Sequence, residues 1–277
     1  VSSALSAIPG LQVFEGGQVP ADYGRWLIAG TQGAGKSTLA STVATLGKTL
    51  YIDMPGEKGT RAFLGSPYVA NIDVVRPASV KVMDDLFWHL DGGKHDYAAV
   101  VIDSISSLQR MALRYLTGSS ETTVKEIEKG GRGADQQTWG RALDIMSDVA
   151  TFWFGLADAS RARPMHVVMV AQPKIMEDQL SGSITWTLDV QKGAISAFLA
   201  CPDYVLWCDT EPNPDAPGDE NASPVRHVVR FGANPSNRAK ARVPMDLWGK
   251  IPPVLGRNSQ TNLGVLSKIL RVGGAAA

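Results

Sequence analysis

Apolar and polar positions follow two rhythms along the chain. Short, nearly unbroken apolar runs appear at RWLIAG (25–30), KTLYIDM (48–54), IDVVRP (72–77), YAAVVID (97–103) and MHVVMVAQ (165–172). Each has the length of a strand buried on both faces. Between them the apolar spacing lengthens to that of a helix. It predicts helices from Gly35 to about Leu46, over SVKVMDDLFWHL (79–90), from Ser104 to about Leu116 and from about Gln136 to Ala159. DYVLWCD (203–209) and RHVVRFG (226–232) read as later strands. The aromatic run TFWFGLADAS (151–160) falls on the fourth helix and reads as its core-facing side. The alternation predicts an α/β fold: a mostly parallel, twisted sheet with helices on both faces and late antiparallel strands.

Three stretches break the pattern. TGSSETTVKEIEKGGRGADQQ (117–137) and PKIMEDQLSGSITWTLDVQKG (173–193) read as long irregular segments, and TEPNPDAPGDENASP (210–224) as a turn-rich loop.

Parallel sheets bind ligands beyond the carboxyl ends of their strands, so the residues that follow each strand carry the information. The first set is Gly30-Thr31-Gln32-Gly33-Ala34-Gly35-Lys36-Ser37, a full G-x-x-x-x-G-K-S between a strand and a helix. Its glycines let the backbone curl so that N–H groups converge on a phosphate, and the helix dipole adds positive potential. Lys36 is placed for the β- and γ-phosphates, Ser37 for Mg²⁺ and Thr38 for the α-phosphate. Asp103 ends a buried strand and suits a second Mg²⁺ ligand, a hard oxygen on a rigid support; the competing reading is a cap for the helix that follows. Gln172 ends another strand, where its amide would contact the γ-phosphate or the attacking water. The water-activating carboxylate is open between Asp53 and Glu57 in YIDMPGEKGT (51–60), with Glu57 in a Pro-Gly turn.

Composition narrows the class. The chain has 277 residues with 44% hydrophobic and 19% charged, enough for one large α/β domain with a proper core. No run of 18 apolar residues suggests a membrane span, and the N-terminal stretch lacks a basic leader region. The two cysteines, Cys201 and Cys208, fit no metal or redox spacing and predict reduced thiols in a cytoplasmic protein; four scattered histidines argue against zinc. Net charge is zero, yet from Val225 onward Arg226, Arg230, Arg238, Lys240, Arg242, Lys250, Arg257, Lys268 and Arg271 face one acid, Asp246. That basic end suggests a local anionic partner or a solvated face.

The ordered motifs GTQGAGKST, YIDMPGE, AAVVIDSIS, TWG (138–140), HVVMVAQ and NRAKARVP resemble the RecA-like P-loop ATPase core, most closely the compact phage-encoded Sak-type proteins of single-strand annealing and recombination. The resemblance runs from about Trp26 to Val243. It implies a 25–245 core between an N-terminal segment (1–24) and a basic C-terminal extension (246–277). It implies ATP and Mg²⁺ as cofactors, with Lys36, Glu57 and Gln172 catalytic and Gln172 sensing the γ-phosphate. The two irregular segments match the DNA-binding loops, which nominates Lys125, Lys129 and Arg132 in the first and Lys174, Trp186 and Lys192 in the second. Glu121, Glu126 and Glu128 weaken the electrostatics of the first. Lys240 and Arg242, with Arg238 beside them, match basic residues that reach the ATP of a neighbouring subunit. The implied partners are single-stranded DNA, further copies of the chain in a filament or ring, and a single-strand-binding protein, in the cytoplasm of a bacterial host and away from membranes. One departure stands out. The family commonly has Asp-x-Glu after the second core strand, whereas here Asp53-Met54-Pro55 places the next carboxylate two residues later, at Glu57. Either the turn is remodelled so that Glu57 serves, or hydrolysis is slow while ATP-dependent binding and assembly remain. A ring-forming replicative helicase or packaging motor, and a regulatory NTP switch acting on a protein, are the alternative readings.

Overall fold

The computed structural model describes residues 22–118, 135–177, 184–214, 223–232, 239–247, 249–256 and 261–273. Its centre is a sheet in the order β11-β9-β8-β1-β5-β4-β2-β3. The strands are β1 (Arg25–Gly30), β2 (Thr49–Asp53), β3 (Ile72–Val75), β4 (Ala99–Asp103), β5 (His166–Val170), β8 (Tyr204–Pro212), β9 (Val225–Arg230) and β11 (Val254–Gly256), with the short β10 (Lys240–Ala241) beside β8. From β3 across to β8 every pairing is parallel; β9, β10 and β11 join antiparallel. The mostly parallel sheet with late antiparallel strands is the architecture that the apolar runs predicted.

Successive strand residues face opposite sides, and both sides are covered. Leu27 and Ala29 of β1, with Val100 and Ile102 of β4, face one core; Trp26 and Ile28, with Ala99 and Val101, face the other. The first core is roofed by α2 (Val80–Asp91), α3 (Ile105–Thr117), α4 (Gln136–Asp148) and α5 (Lys192–Ala200). After α4 a π-helical turn, Val149–Trp153, rotates Trp153 and Phe154 into this core while Phe152 stays exposed. The second core is roofed by α1 (Lys36–Ser41), its 3-10 continuation Thr42–Thr45 and α6 (Leu263–Ile269). Leu263, Leu266 and Leu270 are buried there, and the Leu263 N–H donates to Thr42 Oγ1 at 2.8 Å. Residues beyond 245 therefore contribute both a strand to the sheet and a helix to its cover.

The segment after Gln172 corrects the expectation of an irregular stretch. β6 (Pro173–Glu177) and β7 (Ile184–Leu188) pair as an antiparallel two-stranded sheet, and α5 begins at Lys192. The alternating Thr and apolar residues of ITWTL suit a pleated surface, but Pro173 and the polar residues between the strands obscure them. Lys125, Lys129, Arg132 and Arg238 lie outside the described residues. No helix among the described residues is long and apolar enough to cross a membrane.

At the amino end of β5, His166 is buried, with Nδ1 accepting the Gly24 N–H at 2.9 Å and Nε2 without a partner among the described residues. Burial lowers its pKa to about 4. The native state resists a proton that the unfolded chain accepts near pH 6.5. Stability from this site is therefore full above that pH and is lost as pH falls towards about 4, by about 3 kcal/mol. Urea unfolding of the wild type between pH 7 and pH 4 should show this loss, and His166→Gln should flatten it; equal losses in the two proteins would refute the assignment.

Candidate functional site

The parallel register brings the tips of β1, β5, β4 and β2 to one edge, and the nucleotide-type residues sit there. β1 ends at Gly30 and the loop turns through Gly33 and Gly35, all with positive φ (143°, 78° and 81°). Gly35 caps α1 from the left-handed region, so a residue with a Cβ would be strained at the helix entrance. A Cβ on Gly33 would meet nothing within 4 Å, so the loop's tip is open to a ligand. Gln32 is exposed, Thr31 and Thr38 are half-buried, and Ala34 packs in the second core. Lys36 is 7% exposed and its Nζ donates to the carbonyls of Gly30 and Thr31, each at 2.9 Å. Burial lowers its pKa, while Cys208, Asp103 and Glu57 favour its charge. This cation, held at the mouth of an open loop, is placed for phosphate oxygens.

Asp103 ends β4 at 1% exposure, with Oδ2 accepting Ser37 Oγ at 2.6 Å and Tyr51 Oη at 2.5 Å. Burial raises its pKa; the two hydrogen bonds oppose that shift, and the charges of Glu57 and Asp53 add to it. Gly59 closes over this carboxylate so tightly that a Cβ there would collide with Asp103 Oδ2. The cap reading for Asp103 gives way, because Ser104 is the N-cap of α3, accepting the Ser107 N–H at 3.4 Å. Ser37 and Asp103 thus present two adjacent hard oxygens beside the phosphate loop, a donor pair that fits Mg²⁺ whose other ligands are phosphate and water. Among the described residues no group of three or more His, Cys, Asp or Glu forms a self-sufficient metal cage. Bound there, Mg²⁺ would neutralise phosphate charge during transfer.

The turn after β2 decides where the Glu57 carboxylate goes. Met54 N–H donates to Asp103 O at 2.8 Å, and Glu57 N–H donates back to Met54 O at 3.0 Å, closing a turn over Pro55 and Gly56. Proline at the first centre and a glycine with φ 90° at the second suit a type II turn. The turn folds the Glu57 carboxylate over the start of α3. Oε1 accepts Ser104 Oγ at 2.7 Å and Ser107 Oγ at 2.6 Å; Oε2 accepts Gln172 Nε2 at 3.3 Å. Arg110 Nη2 donates to Ser107 Oγ at 2.7 Å and lies 3.8 Å from Glu57 Oε1. Glu57 and Gln172, singled out after different strands, are therefore neighbours. Asp53, the other candidate, is bound to Arg76 Nε at 2.9 Å through Oδ2, and its buried Oδ1 has no partner among the described residues.

The remaining nominated residues lie elsewhere. Lys174 is exposed on β6 and Lys192 is exposed at the start of α5. Trp186 is half-buried with its ring 6.3 Å from that of Trp207. Lys240 Nζ donates to the carbonyls of Leu199 and Ala200 at the end of α5, at 3.0 and 3.1 Å. Arg242 pairs with Asp203 at 2.6 Å, which also accepts Arg25 at 2.8 Å. Sequence reasoning missed Tyr51, Ser104, Ser107 and Arg110. The signal for the last three was present: one face of a helix starting just after Asp103 carries residues 104, 107 and 110–111.

A phosphate loop, a strand-tip carboxylate bonded to its serine and a Glu–Gln pair at the same edge define a P-loop nucleoside triphosphatase. The sequence profile of a family described as AAA domain matches residues 23–243. The chain belongs to that family, and its domain is an AAA-type ATPase. A search of curated proteins finds no match to the chain.

Glu57→Gln should keep ATP binding and lower turnover by about 10²- to 10⁴-fold, the range for loss of a general base. Single-turnover hydrolysis with an independent nucleotide-binding assay reads both; turnover within twofold of wild type would remove Glu57 from the reaction.

Proposed function

We propose that the chain is an ATP-dependent, single-stranded-DNA-binding recombination and annealing protein of the phage Sak type. It assembles head to tail with ATP at subunit interfaces, and its turnover depends on DNA. The observation that carries this reading is the position of Gln172. Its amide reaches the Glu57 carboxylate, and the next residue begins the β6–β7 hairpin. A group that senses the γ-phosphate is thus covalently continuous with an outward hairpin bearing the exposed Lys174. Nucleotide state and hairpin position are coupled by one peptide bond.

In this reading Lys36 and the loop hold the phosphates, Glu57 takes the water proton and Gln172 orients the water. Lys174 and Lys192, together with Lys125, Lys129 and Arg132, contact the DNA backbone, and the exposed part of Trp186 stacks on a base. A heterologous interface propagates as a filament or closes as a ring. Across it Arg238, Lys240 and Arg242 act in trans, for which Arg242 must leave Asp203. A single-strand-binding protein would share the same strand, and the setting is the bacterial cytoplasm.

One observation favours a second reading, a switch acting on a protein partner. Among its described residues the hairpin exposes Ile175, Met176 and Ile184 (54%, 38% and 58%) beside Lys174, a surface with more apolar than basic groups.

ATP turnover and particle size, measured with and without single-stranded DNA at low and high salt, separate the two. DNA should raise turnover and drive assembly, and salt should reverse both. If DNA changes neither quantity, the recombination reading fails and the protein-partner reading stands. Arg242→Ala should lower turnover of the assembled protein while monomer ATP binding persists. Loss of both, or of neither, would refute action in trans.

A further inference from the structure

Beyond the nucleotide edge, α2 and α3 flank a groove of about 750 Å³ whose floor includes Pro55 and Gly56 of the Glu57 turn. Among the described residues that line it are two guanidinium side chains, Arg110 and Arg114, and no carboxylate. The two arginines are one helical turn apart and share a face of α3. Arg114 is exposed and forms no ion pair among the described residues. Tyr115, at the same end of the groove, is 61% exposed. Across from them Ser79 caps α2, a helix of 12 residues whose positive end faces the groove. Two cations spaced along a helix beside an exposed aromatic ring match the chemistry of a strand with phosphodiesters and unpaired bases. The ring gives a base-stacking platform for which an acidic peptide has no use.

The groove is wired to the reaction. Arg110 donates to Ser107 Oγ, and Ser107 Oγ donates to Glu57 Oε1. We propose that this groove binds single-stranded nucleic acid through its phosphodiesters, and that the strand draws Arg110 away from Ser107 and Glu57. Glu57 is then freed of a cation that competes for its carboxylate and turns to the water. Arg110 is a positioning residue: its guanidinium bonds Ser107 and lies beside Glu57, and it acts through them. The inference rests on the DNA-dependent reading above and assigns it a route distinct from the β6–β7 hairpin.

The test uses the full chain, a fluorescent oligothymidylate, and thermal melting to check that each variant folds. Tyr115→Ala should weaken oligonucleotide binding by about fivefold or more, the range for loss of one stacked base. Arg114→Glu should weaken it further and reduce the slope of log affinity against log salt by about 0.7 for each phosphate that the variant no longer neutralises. Arg110→Gln should bring the ratio of stimulated to basal turnover close to one, with Arg110→Lys restoring part of it. Affinity within twofold of wild type for both Tyr115→Ala and Arg114→Glu would overturn the proposal. So would an unchanged stimulation ratio in Arg110→Gln, or displacement of the oligonucleotide by polyglutamate at equal charge. If these variants behave as wild type while wild type binds and responds to DNA, only the groove assignment falls. If wild type binds no DNA, the DNA-dependent reading falls with it.

Discussion

The hydrogen bond between Ser37 Oγ and Asp103 Oδ2, 2.6 Å long, is the contact on which the rest of the site depends. It joins the first helix after β1 to the tip of β4, although β5 lies between those strands. A carboxylate at 1% exposure is costly unless its lone pairs are satisfied. Asp103 therefore recruits Tyr51 as well as Ser37, and Gly59 excludes any side chain from the remaining side. The alternation of β2 makes this possible: Tyr51 points to the α1 face, while Leu50 and Ile52 fill the opposite core. Packing and chemistry are thus set by the same period-two pattern.

A second consequence follows from the register. Asp53 and Asp103 are directly paired across β2 and β4, so a carboxylate close to the end of β2 adds negative charge to an already crowded edge. Arg76 holds Asp53 in place. The tight turn over Pro55 and Gly56 carries the next carboxylate away from this pair and onto the hydroxyls of Ser104 and Ser107. The displaced glutamate is compatible with the chain because α3 begins with serines where Glu57 arrives.

Much of this was legible in the sequence, for physical reasons. A strand buried on both faces announces itself as an apolar run, and a phosphate loop needs glycines and a lysine at fixed offsets, so β1, β2, β4, β5, Lys36, Ser37, Asp103 and Gln172 could be read locally. The meeting of Glu57 with Gln172 could not, since it depends on a turn geometry and a strand order that no local window contains. The β6–β7 hairpin and α5 were hidden by polar residues and short elements. Pairing in the basic end was only partly visible along the chain: Arg271 pairs with Asp246 of the same stretch, but the fold brings Asp209 and Glu211 of β8 to Arg230, and Asp203 to Arg242.

The polar groups of the site are bonded to one another, and that shapes what a nucleotide must do. Lys36 is held by carbonyls of its own loop, Ser37 by Asp103, and Glu57 by two serines and Gln172. Each bond that a phosphate oxygen makes with these donors replaces one already made, so the net gain per bond is modest. The compensation is order: side chains locked in a network lose little entropy when a ligand takes over their bonds. A γ-phosphate that engages Gln172 must also compete with Glu57 for its amide. Such an exchange would loosen the Glu57 carboxylate, and it would start at the residue from which the hairpin leaves the sheet.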